Sequence, residues 1–298
     1  MPSDTPPLRI AVIGAGNIGS TFAFQLARTG RHEVTVIARP GSNRLRQLER
    51  DGAIVDIRGN TAKVSVESAL DEQIPYDLII VTLMAHQVDQ VLPSLQRSAA
   101  KSIQFMFNTF DPDRLRRAIG DERCAFGMPF VQAMLDADGR LKATIGAGGQ
   151  KSIMSERRWV EVFNASGIPA AFEPDMPLWL RCHAPVCVAL ESVCVAGKRR
   201  NGGASWRKAM VLARGVRTCF ALVTGLGYTV YPKSKARMAG SPILFIAAFL
   251  WIMSRIRSFR DLLATGEAEC RALVDAMVAA APLAKPPVAT AEIEAMRP

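Results

Sequence analysis

The sequence predicts an α/β protein with an N-terminal Rossmann-type, doubly wound parallel sheet and an all-α C-terminal domain. Short apolar runs alternate with helix-length segments up to about residue 150. A glycine-rich segment follows the first apolar run directly, and the strand signal nearly vanishes after Lys151. A chain of 298 residues has the length of two domains. We expect one domain over residues 1–172 and a second over residues 173–298.

The strands of the first domain are predicted from continuous apolar runs. Such runs are typical of parallel strands that are buried on both faces. They occur at Leu8–Ile13, Glu33–Ala38, Asp77–Leu83 and Ser102–Phe107. Helix-length segments follow them at Asn17–Thr29, Gln87–Gln96 and Asp113–Ile119. This alternation implies right-handed β-α-β crossovers and a doubly wound sheet.

The second half of the chain is predicted to be mostly helical. Helix-compatible segments lie at 151–166, 176–197, 204–226, 242–258 and 266–281. The longest apolar stretch, Pro242–Met253, is shorter than the roughly 20 residues that a membrane-spanning helix needs. We interpret it as a buried or half-buried helix that could contribute to a homodimer interface.

The formal charge of +10 is compatible with nucleic acid, acidic lipid or an anionic cofactor and substrate as a partner. Basic residues collect at Lys198–Arg200, Arg207–Lys208 and Lys233–Arg237, without the interleaved aromatic residues of nucleic-acid modules. We interpret these groups as solvated helix ends and loops. We therefore expect neither a nucleic-acid nor a membrane partner. The N-terminal residues contain no apolar run of signal-peptide size, which predicts a cytoplasmic protein.

The cysteines and histidines do not predict a metal site. None of the six cysteines pairs with another at the two-residue gap of zinc or dithiol motifs. The three histidines lack a neighbouring Cys, His or carboxylate at metal-ligand spacing. We expect reduced, packed thiols.

The segment Gly14-Ala15-Gly16-Asn17-Ile18-Gly19 lies between the first strand and the first helix. In this context the three glycines are typical of dinucleotide binding. The first permits a tight turn, the second lets the backbone approach a diphosphate, and the third allows close helix–strand packing. Amides at the helix N-terminus then face the anion. All six residues are predicted to bind a cofactor.

The end of the second strand predicts NADP(H) rather than NAD(H). Enzymes that prefer NAD usually have a carboxylate there, facing the ribose 2′-hydroxyl. This chain has Arg39, whose guanidinium attracts a 2′-phosphate. Ser42, Asn43 and Arg44 follow within reach of the same phosphate, although Asn43 could instead cap the next helix.

With the glycine segment, the strand end Val36-Ile37-Ala38-Arg39 and the strand Asp77-Leu78-Ile79-Ile80-Val81, the chain resembles the ketopantoate reductase family. The resemblance covers the N-terminal domain well. It implies a helical C-terminal domain like that of 6-phosphogluconate dehydrogenase, with NADPH and an α-keto acid meeting between the domains. The implied activity is that of a 2-dehydropantoate 2-reductase in pantothenate biosynthesis.

The resemblance also assigns residues near the cofactor. Family members carry a segment like Val-Lys-Ala-x-Gln after the third of these strands, where this chain has Thr82-Leu83-Met84-Ala85-His86-Gln87. Leu83 and Gln87 are therefore expected to contact the cofactor, and Met84 replaces the lysine. The family's Asn-Gly pair near the nicotinamide corresponds to Asn108 and Thr109, so that Asn108 is expected beside both cofactor and reacting centre.

The C-terminal resemblance is weaker at the catalytic helix. The family's catalytic lysine lies two residues after a tryptophan, a position that Arg181 occupies here, and Pro185 and Ala189 replace two asparagines. Arginine is a poor general acid but can bind a carboxylate or polarise a carbonyl.

Two further side chains are candidates for catalysis. His183 is a candidate proton donor, although it lies about 200° around the helix from Arg181 unless Pro185 kinks that helix. The family glutamate that contacts substrate corresponds to Glu267 or Glu269, and the spacing from Asp261 favours Glu269. An ordinary first-turn glutamate is the alternative for each.

The leading hypothesis is an NADPH-dependent reductase that transfers hydride to a carbonyl or imine carbon, with a small α-keto acid as substrate. One alternative is a non-catalytic NADP(H)-binding protein that senses redox state or regulates a partner, because an intact cofactor loop accompanies an altered catalytic helix. Another is a basic interaction module with a vestigial Rossmann fold, because positive charge is concentrated in the C-terminal half.

Overall fold

A computed structural model describes residues 6–264 and 266–298. The described chain forms two compact units, one of residues 6–107 with 113–176 and the other of residues 108–112 with 177–298. The main boundary thus lies at Met176, near the expected position of 172, and a five-residue segment after the seventh strand joins the second unit.

The first unit contains the strands. They are β1 Arg9–Ile13, β2 Glu33–Ile37, β3 Ala53–Val55, β4 Thr61–Lys63, β5 Ser65–Glu67, β6 Leu78–Val81, β7 Ile103–Met106, β8 Cys124–Met128, β9 Val131–Leu135, β10 Leu141–Ile145, β11 Ser152–Met154 and β12 Ala170–Phe172. Its helices are α1 Asn17–Ala27, α2 Asn43–Asp51, α3 Leu92–Arg97, α4 Pro112–Ile119 and α5 Arg157–Ala165, and a 3-10 helix spans Ala85–Gln90.

The main sheet has eight strands in the order β12-β11-β8-β7-β6-β1-β2-β5. All neighbours are parallel except β11 and β8. Strands β6 and β7 are buried along their whole length, as continuous apolar runs require. Strand order reverses around β1, which lies between β2 and β6, so the loops after these strands meet at a topological switch point. This confirms the predicted Rossmann-type sheet.

The prediction of a helix over 151–166 was only partly right. Residues Ser152–Met154 form β11, and α5 begins at Arg157. Strand β11 is three residues long and pairs with β8 and β12, which are distant in sequence. The hairpin β9–β10 and the short β3–β4 pair were also missed. Strand β11 depends on partners far along the chain, and β3 and β4 are only three residues long, so local periodicity does not reveal them.

The second unit is helical, as predicted. Its helices are α6 Met176–Arg199, α7 Trp206–Gly225, α8 Lys233–Gly240, α9 Ile243–Met253, α10 Arg257–Leu263, α11 Glu267–Ala280 and α12 Thr290–Glu294. The predicted segment 242–258 is divided into α9 and α10 by a break at Ser254–Ile256, and α8 was not predicted. Buried side chains of α6, α7, α9 and α11 form one core.

Helix α6 is long and apolar enough to cross a membrane by length and composition. Two thirds of its most apolar window is buried inside the fold, so it is a core helix of the second unit. The α8–α9 pair passes the same criterion as a broken span, with a bend of 115° between the helices.

Candidate functional site

The glycine segment is a tight loop in which each glycine has a different structural reason. Gly14 has a φ of +103°, a region that L side chains avoid. A Cβ at Gly19 would lie 1.8 Å from the carbonyl oxygen of Gly14. A Cβ at Gly16 would meet no described atom within 4 Å. Gly14 and Gly19 are therefore needed for the tight loop itself, whereas the absence of a side chain at Gly16 leaves the backbone accessible to a ligand.

Side chains from other elements hold this loop. The Thr82 hydroxyl donates a hydrogen bond to the Gly14 carbonyl at 2.9 Å. The Arg44 guanidinium donates to the Ala15 carbonyl at 3.3 Å, to Ser20 Oγ at 2.8 Å and to the Gly139 carbonyl at 2.8 Å. Arg44 thus joins the loop, α1 and the hairpin β9–β10. This holds the loop in place, and a contact of Arg44 with a phosphate stays a prediction.

Helix α1 begins directly after Gly16, and its first turn has no acidic residue. Its first amides lack intrahelical acceptors and are available to an anion. The Asn17 side chain accepts a hydrogen bond from the Leu135 amide at 3.0 Å, so it anchors the hairpin. Ala15 is buried and Ile18 is half-buried. The loop therefore fits a dinucleotide diphosphate through its backbone.

Arg39 follows β2 with an exposed side chain. Across residues 6–264 and 266–298 its guanidinium makes no hydrogen bond or ion pair, so it can meet an anion. Ser42 caps α2 by accepting a hydrogen bond from the Leu45 amide at 3.1 Å. The alternative that Asn43 is the cap is wrong, because Asn43 is the first helical residue and its side chain accepts from Arg46.

The segment after β6 also reaches the loop. Leu83 is half-buried, and its Cδ2 lies 3.1 Å from the position of a Cβ on Gly14. Gln87 Oε1 accepts a hydrogen bond from the Met84 amide at 3.1 Å. Leu83 therefore packs against the glycine loop, and Gln87 caps the 3-10 helix there.

Asn108 follows the carboxyl end of β7, and its side-chain amide lacks hydrogen-bond partners among the described residues. The residue is 1% exposed, and neither Oδ1 nor Nδ2 has a partner within the described part of the chain. Leaving a buried amide unsatisfied costs on the order of 1–3 kcal/mol. A polar group of a bound molecule would offset that cost, and the place of Asn108 at the reacting centre stays a prediction.

Arg181 on α6 is 5% exposed. Its guanidinium carbon lies 4.4 Å from the ring centroid of Tyr228 and 5.4 Å from that of Phe110. Phe110 is two residues from Asn108, so the structure brings Arg181 to the Asn108 segment. Pro185 and Ala189 are buried, and α6 is continuous through Pro185. The helix face that carries two asparagines in the resembled family is therefore apolar here.

His183 has different neighbours from Arg181. Its ring stacks on Trp179 at 4.4 Å, and the Lys235 ammonium lies 3.7 Å from the centre of the same indole. Burial and the positive charge of Lys235 lower the pKa of His183 to about 3. The imidazole is neutral at physiological pH, which argues against proton donation by His183. Sequence reasoning missed the buried Lys235, whose position depends on the packing of α8 against α6.

The two candidate glutamates of α11 differ in their surroundings. Glu267 forms ion pairs with Arg199 at 2.9 Å and Arg271 at 3.4 Å. Glu269 is half-buried, and burial together with the charge of Glu191 raises the pKa of Glu269 to about 7. A carboxyl that is half protonated near neutral pH is suited to proton transfer. The raised pKa distinguishes Glu269 from the ion-paired Glu267, and a contact of Glu269 with substrate stays a prediction.

Glu191 on α6 completes a buried acidic cluster. Its carboxyl accepts hydrogen bonds from Cys270 Sγ at 2.9 Å and Cys187 Sγ at 3.3 Å. Burial raises the pKa of Glu191 and of both thiols. No group of three His, Cys, Asp or Glu side chains suited to a metal ion occurs in the described ranges.

The raised pKa of Glu269 makes stability depend on pH. The contribution of protonated Glu269 to the free energy of unfolding is complete below the ordinary pKa of 4.5 and is lost as pH rises through about 7. We expect the wild type to lose about 1–2 kcal/mol more unfolding free energy than Glu269→Gln between pH 5 and 8, after allowance for solvent screening. Urea unfolding at both pH values measures this difference. Glu267→Gln is the control and should behave like the wild type, whereas equal pH dependence in all three proteins would contradict the assignment.

Comparison with known proteins agrees with this geometry. Residues 10–153 match the family described as ketopantoate reductase PanE/ApbA. A 2-dehydropantoate 2-reductase of Bacillus subtilis (strain 168) is 27% identical over 101 residues, which are 34% of this chain and 33% of that protein. The aligned segment thus spans about a third of that relative's length.

Solved structures are similar along most of the chain. A PanE/ApbA family ketopantoate reductase from Ralstonia eutropha JMP134 has a TM-score of 0.73 at 18% identity, covering 97% of this chain and 96% of that one. D-mandelate dehydrogenase, solved with NADH, has a TM-score of 0.71 at 16% identity with the same coverage. At these identities the likeness shows the fold. The match over residues 10–153, which is just under half of the chain, identifies this N-terminal part as belonging to the ketopantoate reductase family of oxidoreductases.

Proposed function

We propose that the protein is an NADPH-dependent reductase of a small α-keto acid, such as 2-dehydropantoate. The observation that carries the proposal is the glycine loop, where Gly16 leaves open backbone beside the amides of α1. The unpartnered guanidinium of Arg39 supports NADPH over NADH, because it can pair with a 2′-phosphate. Bound NADPH would supply a hydride to the carbonyl carbon of the substrate.

The residues of the second unit suit the substrate side of this reaction. Arg181 can hold the substrate carboxylate or stabilise negative charge on the carbonyl oxygen. The reduced oxygen also needs one proton. Arginine is a poor acid and His183 is neutral, whereas Glu269 is partly protonated at neutral pH. We therefore assign proton donation to Glu269 and expect turnover to decline as pH rises through about 7.

The direct test of the proposal combines binding and turnover. Calorimetry with NADPH and NADH measures cofactor choice, and a panel of α-keto acids is then screened for NADPH consumption. We expect NADPH binding and turnover with at least one keto acid. Binding without turnover on any keto acid would favour the alternative of a cofactor-binding regulatory protein. Absence of binding would contradict the proposal.

A keto acid with an apolar side chain is the second candidate substrate. Pro185 and Ala189 offer no side-chain donor where the resembled family has asparagines, so polar substituents of 2-dehydropantoate lose two partners. D-mandelate dehydrogenase, whose name denotes an aromatic hydroxy acid, has the same fold. A higher kcat/KM for an aromatic 2-oxo acid than for 2-dehydropantoate would favour this candidate. Either substrate is compatible with a cytoplasmic enzyme.

Replacement of Arg181 separates catalysis from cofactor binding. We expect Arg181→Gln to lower kcat/KM for the keto acid about 100-fold, because a charged hydrogen-bond donor to the substrate is lost. The dissociation constant for NADPH should stay within about twofold of the wild-type value. Arg214→Gln, an exposed arginine of α7, is the matched control. Unchanged turnover in Arg181→Gln would remove this role from Arg181 and leave the cofactor proposal standing.

A further inference from the structure

Helix α9 has an apolar outer face that no other part of residues 6–264 and 266–298 covers. Ile246, Ala247 and Leu250 are buried in the core of the second unit. On the outer side, large apolar side chains are exposed, with Phe245 at 71% and Leu244 at 59%. We define the α9 surface as Leu244, Phe245, Phe249, Ile252 and Ile256, all of which are exposed.

These side chains form a contiguous patch. At 100° per residue, the four members on α9 fall within an arc of about 140°, and Ile256 follows in the turn after the helix. Single exposed apolar residues need no explanation, whereas a contiguous exposed patch marks an interaction site. A helix that is apolar on all sides is normally buried or in lipid, so the α9 surface calls for an apolar partner.

The exposed charges around this surface are mostly positive. Residues 192–260 contain no Asp or Glu and 13 basic residues, namely Lys198, Arg199, Arg200, Arg207, Lys208, Arg214, Arg217, Lys233, Lys235, Arg237, Arg255, Arg257 and Arg260. Exposed Lys233 and Arg237 precede the surface on α8, and exposed Arg255 and Arg257 follow it, with Arg257 in an ion pair with exposed Asp261 at 3.7 Å. The partner must therefore combine an apolar layer with negative charge.

Aromatic side chains lie at the carboxyl end of α9. Trp251 and the exposed Trp206 pack edge to face with ring centroids 6.2 Å apart. The Arg255 guanidinium lies 3.4 Å from the centre of the Trp251 ring. Tryptophan and cationic side chains beside exposed Leu, Ile and Phe are typical of helices that lie at a membrane–water interface.

We propose that the α9 surface docks the protein reversibly on an anionic lipid bilayer. The apolar side chains would enter the headgroup boundary while the flanking cations contact acidic headgroups. A second copy of the chain fits less well, because a two-fold contact through this surface would bring the same cations together. The sequence predicted no membrane partner because the apolar run is too short to span a bilayer and the basic groups were interpreted as solvated, but neither argument addresses binding at a bilayer surface.

The test is co-sedimentation of the full chain with vesicles of phosphatidylcholine alone or mixed with phosphatidylglycerol. We expect binding to the mixed vesicles, weak binding to the neutral ones, and release at high salt. Phe245→Glu with Phe249→Glu should lower the partition coefficient at least about tenfold. Lys233→Gln with Arg237→Gln and Arg257→Gln should lower it about 100-fold or more. Leu283→Glu, an exposed apolar residue outside the surface, should bind like the wild type.

Two further measurements, light scattering and tryptophan fluorescence, test the proposal in other ways. Light scattering gives the oligomeric state. The proposal would be overturned in favour of self-association if the wild type were a dimer that did not bind vesicles and the Phe245→Glu, Phe249→Glu double variant were a monomer. Retention of nucleic acid without vesicle binding would also overturn it. Quenching of tryptophan fluorescence by brominated lipid tests the wild-type protein, so misfolding of a variant cannot hide the result. Quenching supports insertion near Trp251 and Trp206, and absence of quenching contradicts it.

Discussion

Arg39→Asp is expected to raise the dissociation constant for NADPH about 100-fold while NADH binding stays near its wild-type value. The guanidinium of Arg39 is exposed and makes no hydrogen bond or ion pair in the described chain. Loss of a charged hydrogen bond, followed by repulsion between a carboxylate and the 2′-phosphate, accounts for a factor of this size. Calorimetric titration with both cofactors measures the change.

The control for this change is Arg50→Asp, which alters the net charge equally. Arg50 is an exposed residue near the end of α2 and forms an ion pair with Asp51 at 2.8 Å. We expect Arg50→Asp to bind NADPH like the wild type at physiological ionic strength, because a distant exposed charge is screened. Equal NADPH affinity in the wild type and Arg39→Asp would disprove the phosphate contact. A loss of NADH affinity as large as that for NADPH would show damage to the whole site.

Alanine at Gly16 and at Gly19 should have opposite effects on stability and binding. Gly16→Ala places a Cβ in open space at a φ of −75°, so the protein should keep its Tm but bind NADPH at least about tenfold more weakly. Gly19→Ala places a Cβ 1.8 Å from the Gly14 carbonyl oxygen and 2.6 Å from Thr82 Oγ1. We expect Gly19→Ala to lower the Tm by about 5 °C or more.

Thermal unfolding and calorimetry on the two variants make this comparison. The two proteins differ from the wild type by the same single methyl group, so each controls for the other. A Tm of Gly16→Ala well below that of the wild type would show that Gly16 is needed for folding. Wild-type NADPH affinity in Gly16→Ala would mean that the open backbone at this loop does not face the cofactor.

Several parts of the fold were predictable because they depend on neighbours in sequence. The runs that became β1, β2, β6 and β7 are continuous and apolar, and the glycine spacing lies directly after β1. The short strands β5 and β11 were missed because they pair with segments that are distant in sequence, and β3 and β4 were missed because three residues are too few to show a period. The split between α9 and α10 was missed because both sides of Ser254–Ile256 are compatible with a helix.

The functional site likewise has features that the local sequence determines and features that depend on tertiary packing. The sequence alone determined the order of strand, glycine loop and helix, and the guanidinium at Arg39, because backbone conformation and formal charge are local properties. Only the tertiary structure decided that Arg44 binds the loop backbone and that Asn108 is buried without a hydrogen-bond partner among the described residues. It also decided the opposite pKa changes of His183 and Glu269. Burial, unmet hydrogen bonds and the charge of a distant residue depend on how segments far apart in sequence pack together.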